Sequence, residues 1–240
     1  DFEQRWQDFW HTANYVDLDP TTGIIVDYGC NIASYDGHQG QDIIIRDFEE
    51  QHEGRFALMP APATVIATAD GNFDENVQNT NCVTNPNYVQ VAFADGTTGL
   101  FYHLRKWSVM VTPGQQVLEG QPFGLIGSSG CSTDPHLHFE VRNGPTVYEP
   151  AAGACRAGSS LWENQQGHVY DNGASVFYAG TSAVQPTQDL IKFRPPDMTH
   201  LRQSSSARQW FWVRLLDVHP GDVSEVTYRR PNSTVFAVAT

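Results

Sequence analysis

The chain has 240 residues, with 14 Lys and Arg against 27 Asp and Glu and a formal net charge of −13. This acidity excludes the basic surface that nucleic-acid binding usually needs, and no apolar run approaches the roughly 18 residues of a membrane span. Hydrophobic residues make up 40% of the chain, which excludes wholesale disorder, so we expect an acidic globular protein with a packed core.

The first predicted element is a short N-terminal helix over residues 1–10. Its aromatic residues recur at about helical spacing, at Phe2, Trp6, Phe9 and Trp10. Short runs rich in Val, Ile, Phe and Tyr follow, separated by turn residues, at 43–45, 64–68, 88–93, 99–103, 121–126 and 136–141. This pattern predicts antiparallel β structure, with Asp95-Gly96 as a hairpin turn.

A flexible stretch over 149–160, EPAAGACRAGSS, is typical of a linker. Further strands are predicted after it, at 169–170, 175–178, 190–193, 209–216, 224–228 and 235–238. So many short strands within about 80 residues favour a small β-sandwich.

Four cysteines are present without a CxxC pair, at Cys30, Cys82, Cys131 and Cys155. Two disulfides explain them better than four buried thiols, because their spacing suits no zinc ribbon or redox motif. Three connectivities remain open. We favour Cys30–Cys82 with Cys131–Cys155, because these pairs enclose compact loops. The chain starts at Asp1 with neither Met nor a signal peptide, which fits the mature form of an exported protein or a trimmed fragment.

Three segments carry residues suited to a metal site: His38-x-x-x-Asp42, His103 within FYHL, and His136-x-His138. Residues two or four apart on a strand point to the same face, so each pair can project side by side. Two imidazoles, one carboxylate and an open position are typical of catalytic zinc. Each motif alone is equally well explained by a surface polar pair or a packed histidine pair.

The sequence around these histidines is more specific than the motifs themselves. It contains NYV at 87–89, YHL at 102–104, VLEGQPFG at 117–124 and GSSGCSTDPHLHFE at 127–140. These segments resemble the LytM-type (lysostaphin-like, M23) zinc metallopeptidases. The resemblance covers about 28–141 and does not reach the C-terminal segment.

The resemblance implies a role for each matching residue. It implies one Zn²⁺ per chain, held by His38, Asp42 and His138. His136 corresponds to the general base for the metal-activated water. His103 corresponds to a second catalytic histidine, which assists the base or stabilises the oxyanion. All five positions are intact, which favours an active enzyme.

The resemblance also implies a function. We expect a zinc-dependent endopeptidase that hydrolyses stem peptides or cross-bridges of bacterial peptidoglycan. One alternative is an endopeptidase on glycine-rich proteins such as elastin. The other is a non-catalytic LytM-type module that regulates a cell-wall amidase, although such modules typically lose metal ligands.

The expected architecture is mainly β: an antiparallel LytM-type (M23) catalytic domain at 1–155, comprising the N-terminal helix and the β core, and an accessory β-sandwich domain at 156–240. We expect a secreted or periplasmic monomer whose partner is a peptidoglycan or glycine-rich peptide, with no nucleic acid and no membrane span.

Two residues beside the predicted site leave their roles open. Tyr35 is either an additional electrophile or a packing residue. Asp134 stands where Gly is common in the family, and an additional carboxylate there is expected to raise the pKa of His136.

Overall fold

The computed structural model describes residues 10–78, 82, 85–169, 174–193, 208, 210–219 and 221–239. The predicted N-terminal helix falls outside these residues, apart from Trp10. Within the described part of the chain, no helix is long and apolar enough to cross a membrane.

Strands dominate the described residues. They are β1 (His11–Asn14), β2 (Gln41–Ile44), β3 (Phe56–Leu58), β4 (Ala63–Ala69), β5 (Tyr88–Phe93), β6 (Thr98–Tyr102), β7 (Gln116–Val117), β8 (Pro122–Leu125), β9 (His136–Asn143), β10 (Thr146–Tyr148), β11 (Ser175–Ser182), β12 (Trp210–Leu216), β13 (Val226–Arg229) and β14 (Val235–Ala239). Two short helices accompany them, α1 (Phe48–Glu53) and α2 (Gln188–Phe193).

The main sheet is antiparallel and has the order β1-β2-β9-β6-β5-β4-β7, with β10 paired to β9. The strands predicted before the linker all correspond to observed strands, with small shifts at their ends. The predicted antiparallel, mainly β catalytic fold is therefore confirmed.

Side-chain alternation along β9 gives the sheet two chemically different faces. Leu137, Phe139 and Val141 are buried in the core, whereas His136 and His138 alternate with them on the opposite face. Phe101 of β6 stacks on Phe139 with ring centroids 4.7 Å apart. Burial of each such large apolar side chain contributes about 1.5–3 kcal/mol, which fixes this strand against its neighbours.

All four cysteines form disulfides, but the favoured connectivity was wrong. The structure pairs Cys30 with Cys155 and Cys82 with Cys131, over 125 and 49 residues respectively. The backbone amide of Cys155 donates to the Tyr28 carbonyl at 2.9 Å, so the chain after β10 runs beside the loop of Cys30. Compact loops were a poor criterion, because the sheet brings together segments that are distant in sequence.

The segment after the linker is rich in β structure, as expected. In the described residues it forms two separate two-stranded sheets, β11-β12 and β13-β14, where a sandwich was predicted. Every residue of β14 is exposed, so these residues do not enclose a sandwich core. Of the predicted 169–170 strand, Val169 lies in a helical turn and Tyr170 lies outside the described residues.

One predicted strand in this segment was wrong. Residues 190–193 belong to α2, which begins after Thr187. The Thr187 hydroxyl accepts a hydrogen bond from the Leu190 amide at 3.2 Å, and its carbonyl accepts one from the Ile191 amide at 3.1 Å. This N-terminal cap favours helix over strand for a short apolar run.

Residues just after the predicted boundary at 155 pack against the N-terminal part of the chain. Val169 is buried with Tyr15 and Tyr28, and Trp162 packs against the same cluster. His168 lies 3.0 Å from a carboxylate oxygen of the fully buried Asp27. The division at 155 remains a prediction.

Candidate metal centre

The candidate centre lies on the polar face of the main sheet, where two strands pair. Asp42 of β2 is the direct partner of His138 of β9 in the antiparallel register. His38 lies in the turn before β2, and its amide donates to the Tyr35 carbonyl at 3.0 Å. The local turn and the long-range strand pairing together bring three residues into one place.

Three side-chain atoms converge at this point. His38 Nε2 lies 3.2 Å from Asp42 Oδ1 and 3.1 Å from His138 Nδ1. His138 Nδ1 lies 2.9 Å from the same Asp42 oxygen. All three residues are buried and form a group that could hold a metal ion.

Each of these side chains is oriented by a second contact on its far side. His38 Nδ1 donates to the Tyr15 carbonyl at 2.7 Å, and His138 Nε2 lies 3.1 Å from a Glu140 carboxylate oxygen. Asn14 donates to the other oxygen of Asp42 at 3.0 Å. Such outer contacts fix the tautomer and the ring orientation of metal-binding histidines.

These contacts leave a lone pair on each inner nitrogen. The lone pairs of His38 Nε2, His138 Nδ1 and Asp42 Oδ1 then face one another. These atoms repel each other unless a proton or a cation lies among them. Burial lowers the pKa of His138, but the Asp42 and Glu140 carboxylates outweigh it and raise the pKa to about 9. Burial opposes ionisation of Asp42, yet the surrounding histidines hold its pKa well below the usual range.

The donor set fits zinc. In tetrahedral sites zinc lies about 2.0–2.2 Å from His nitrogen and carboxylate oxygen, which places neighbouring ligand atoms about 3.3–3.6 Å apart. The observed separations of 2.9–3.2 Å are within a few tenths of an ångström of these values. Two imidazoles and one carboxylate leave a position open for reactants, as catalytic sites require.

His136 is the next residue on the polar face of β9. Its Nδ1 donates to the Asp134 carbonyl at 2.7 Å, and its Nε2 lies 3.5 Å from Asp42 Oδ1. A carbonyl can only accept, so Nδ1 carries the hydrogen and Nε2 presents a lone pair toward the centre. The Ser132 hydroxyl donates to the same carbonyl at 2.9 Å.

His103 lies beside His136, with ring centroids 4.6 Å apart. It follows β6 with a φ of 67°, a left-handed conformation that is uncommon for a residue other than glycine. Its Nδ1 donates to the Ser129 carbonyl at 2.6 Å. Burial, reinforced by the neighbouring His136, lowers the pKa of His103 to about 3, so this ring is neutral.

Gly40 permits the close approach of the loop to the centre. A Cβ atom at this position would lie 2.7 Å from His138 Nε2 and 2.7 Å from the Phe139 carbonyl oxygen. The second of these atoms belongs to the backbone of β9 and cannot yield. Any other residue at this position would therefore displace the His138 ring or the strand pairing.

The two residues with open roles now have observed contacts. Tyr35 stacks on His38, with ring centroids 4.2 Å apart and 49% of its surface exposed. The Asp134 carboxylate contacts Lys192 at 2.9 Å and lies 3.7 Å from Arg214. Asp134 contacts His136 through its carbonyl rather than through its carboxylate.

Sequence reasoning missed the outer contacts. Asn14 and Tyr15 come from the β1 region, for which no strand was predicted, and no motif points to them. Glu140 follows His138 by two residues on the same strand face, so alternation alone could have identified it.

Comparison with known families gives one match. Residues 50–150 match the model described as "Peptidase family M23". The matched range contains His103, His136 and His138. His38 and Asp42 precede it and join the site through the pairing of β2 with β9.

Two curated relatives match over part of their length. Cell division protein DipM from Caulobacter vibrioides is 32% identical over 102 residues, covering 42% of this chain and 16% of that protein. Peptidoglycan DD-endopeptidase ShyA from Vibrio cholerae is 34% identical over 90 residues, covering 38% of this chain and 20% of that protein. The matches thus span a fifth or less of these relatives.

Among solved structures, the catalytic domain of lysostaphin from Staphylococcus simulans is similar at 19% identity and a TM-score of 0.38. This match covers 59% of this chain and 88% of that one.

Proposed function

We propose that this chain, whose residues 50–150 match the model of peptidase family M23, is a zinc-dependent endopeptidase acting on the peptide part of bacterial peptidoglycan. The observation that carries the proposal is the convergence of His38, Asp42 and His138 on one point. A relative described as a peptidoglycan DD-endopeptidase supports the substrate class.

In this proposal His38 Nε2, Asp42 Oδ1 and His138 Nδ1 hold the metal. When bound, zinc polarises a carbonyl group and lowers the pKa of water, which makes water a nucleophile near neutral pH. Contacts with the Tyr15 carbonyl, the Asn14 amide and the Glu140 carboxylate orient the side chains of His38, Asp42 and His138, respectively.

His136 is the general base. Its Nε2 lone pair faces the centre, and its Nδ1–H is held by the Asp134 carbonyl, so it can take the proton of the attacking water. A histidine whose lone pair binds the metal cannot do this, which is why a further imidazole is needed beside the ligands.

The orientation of His103 favours one of its two expected roles. With the hydrogen on Nδ1 and a pKa of about 3, the neutral ring presents only a lone pair at Nε2. A lone pair accepts a hydrogen bond and cannot donate one to an oxyanion. A pKa of about 3 also makes this ring too weak a base to keep a proton near neutral pH. We therefore assign His103 to assisting the base, His136, as a neutral hydrogen-bond acceptor.

The proposal also places the protein in an oxidising compartment. Both disulfides are formed, and disulfides persist mainly outside the cytosol. Together with the cell-wall relatives, this supports a secreted or periplasmic enzyme.

A direct test combines metal analysis with product analysis. We expect one zinc per chain by elemental analysis and cleavage of purified peptidoglycan, with the scissile bond identified by mass spectrometry of the released muropeptides. A chelator should abolish cleavage and added zinc should restore it. Digestion of elastin in parallel tests the glycine-rich alternative. Stoichiometric zinc with no cleavage of either substrate would contradict the proposal and favour the regulatory module.

A further inference from the structure

Helix α2 of the C-terminal segment packs against α1, close to the candidate site. The ring of Phe193, at the end of α2, stacks on the fully buried Phe48 of α1 with centroids 4.4 Å apart and planes 9° apart. This contact places Lys192, the preceding residue, over the loop that leads into β9.

Lys192 contacts that loop at two atoms. Its ammonium group donates to the Thr133 carbonyl at 3.0 Å and to the Asp134 carboxylate at 2.9 Å. The chain contains one other lysine, Lys106. The side chains of Lys192 and Asp134 are only 21% and 27% exposed, which shields their interaction from solvent more than on an open surface.

A second cation from the same segment faces Asp134. Arg214 of β12 lies 3.7 Å from Asp134 Oδ1, and its guanidinium group also donates to the Arg46 carbonyl. The Asp134 side chain is thus held by two residues that come from different elements of the C-terminal segment.

The backbone of Asp134 orients His136. The carbonyl of Asp134 accepts hydrogen bonds from His136 Nδ1 at 2.7 Å and from the Ser132 hydroxyl at 2.9 Å. Only a few single bonds separate the carboxylate of Asp134 from its carbonyl, and Lys192 also binds the preceding Thr133 carbonyl. Holding both groups therefore limits the orientations open to the peptide that binds the base.

We propose that Lys192 is a positioning residue for the reaction: through Asp134, and assisted by Arg214, it holds the carbonyl that keeps His136 in its active orientation. This inference rests on the proposed function of His136 as the base. It gives the C-terminal segment a part in catalysis, beyond any role in binding the cell wall or in stability. Without Lys192, the turn 132–134 has fewer restraints and the His136 ring samples other orientations.

The kinetic test uses the full chain loaded with zinc. In Lys192→Met the charge is lost while the length of the side chain is kept. We expect kcat on a peptidoglycan peptide to fall about tenfold, in the range typical for outer contacts of an active site, with KM within twofold and zinc content unchanged. Lys192→Arg should restore most of kcat. Lys106→Met is the matched control and should leave kcat unchanged.

A double-mutant cycle separates positioning from a general loss of packing. If Lys192 acts through Asp134, Lys192→Met should lower kcat much less in an Asp134→Asn background than in the wild type. Equal effects in both backgrounds would overturn the proposal, as would a Lys192→Met enzyme whose kcat stays within twofold of the wild type.

A spectroscopic readout does not depend on turnover. With ¹⁵N-labelled histidine at pH 8, the wild type should show His136 in the single Nδ1–H form, assigned by comparison with His136→Gln. Lys192→Met should add a population of the Nε2–H form. An unchanged single form in Lys192→Met would overturn the proposal even if peptidoglycan proved not to be the substrate. Absence of peptidoglycan cleavage by the wild type, with the expected change in the His136 form, would count against the proposed function alone.

Discussion

His103 and His136 lie side by side, with ring centroids 4.6 Å apart, and a single loop orients both through Nδ1: the Ser129 carbonyl holds His103 and the Asp134 carbonyl holds His136. In this arrangement the hydrogen of each neutral ring is on Nδ1, and Nε2 carries a lone pair. The pair therefore presents two hydrogen-bond acceptors beside the candidate metal centre, and His136 is the one proposed as the base.

Removal of the two histidines of β9 should have different effects on zinc binding. His138→Ala should lose both zinc and activity, because it deletes a ligand atom. His136→Ala should keep stoichiometric zinc and lose about 10²–10⁴-fold in kcat, the usual contribution of a general base. Elemental analysis and steady-state kinetics on the same preparations decide this. Zinc lost from His136→Ala and kept by His138→Ala would reverse the assignment.

Removal of His103 should affect the reaction and not the metal. We expect His103→Gln to retain zinc and to lower kcat by about 10–100-fold with little change in KM. Burial lowers the pKa of His103 in the folded state, so the unfolded chain binds a proton at this residue more readily than the folded protein does. Acid therefore favours unfolding of the wild type, and the variant, which lacks this group, should unfold at lower pH. Acid unfolding followed by circular dichroism checks the second expectation, and an unchanged midpoint would contradict it.

Gly40→Ala should weaken zinc binding. The added Cβ would lie 2.7 Å from His138 Nε2 and from the Phe139 carbonyl oxygen, so the ligand ring or the strand must move. We expect a loss of zinc affinity of about 10–100-fold, in line with other changes that misorient a ligand, measured by competition with a chelator. Gly167→Ala is the matched control, since a Cβ there meets no atom within 4 Å and its φ is not positive. Equal zinc affinity in the two variants would contradict the steric argument.

Asp47 should make stability depend on pH in a defined direction. It caps α1 by accepting from the Glu50 amide at 2.8 Å, and burial is the main cause that raises its pKa to about 6. The folded state then binds more protons than the unfolded chain between about pH 4 and 6, so this group makes stability fall as pH rises through that range. Asp47→Asn keeps a capping side chain and should be up to about 3 kcal/mol more stable than the wild type at pH 7.5, with the gain vanishing near pH 4.

A control of opposite sign is available for this prediction. Hydrogen bonds from Thr97 lower the pKa of the exposed Asp95, so the charged form is the one favoured by folding. Asp95→Asn should therefore be less stable than the wild type at pH 7.5, with the difference shrinking below about pH 4. Urea unfolding at both pH values measures the two variants together, and a pH-independent difference for Asp47→Asn would contradict the burial argument.

Much of the centre could be predicted because its signals are local. His-x-His and the alternation around it place His136 and His138 on one face of β9. Asp42 joins them only through the pairing of β2 with β9, and the family resemblance of the surrounding sequence was the signal that connected the motifs. The contacts of Asn14 and Tyr15 could not be predicted, because they depend on β1 pairing with β2 across a long loop. The disulfide pairing failed for the same reason, and α2 was misjudged because a short apolar run suits a strand as well as a helix.

The bond between Cys30 and Cys155 spans 125 residues, and His38, Asp42 and His138 all lie within that span. Hydrolysis of any single peptide bond between 31 and 154 would leave both fragments covalently joined through it. A cut in an exposed loop, such as the Asp95-Gly96 turn, would thus leave all three residues of the candidate metal centre in one covalent molecule. On a reducing gel this nicked form would separate into two bands, and on a non-reducing gel it would migrate as one.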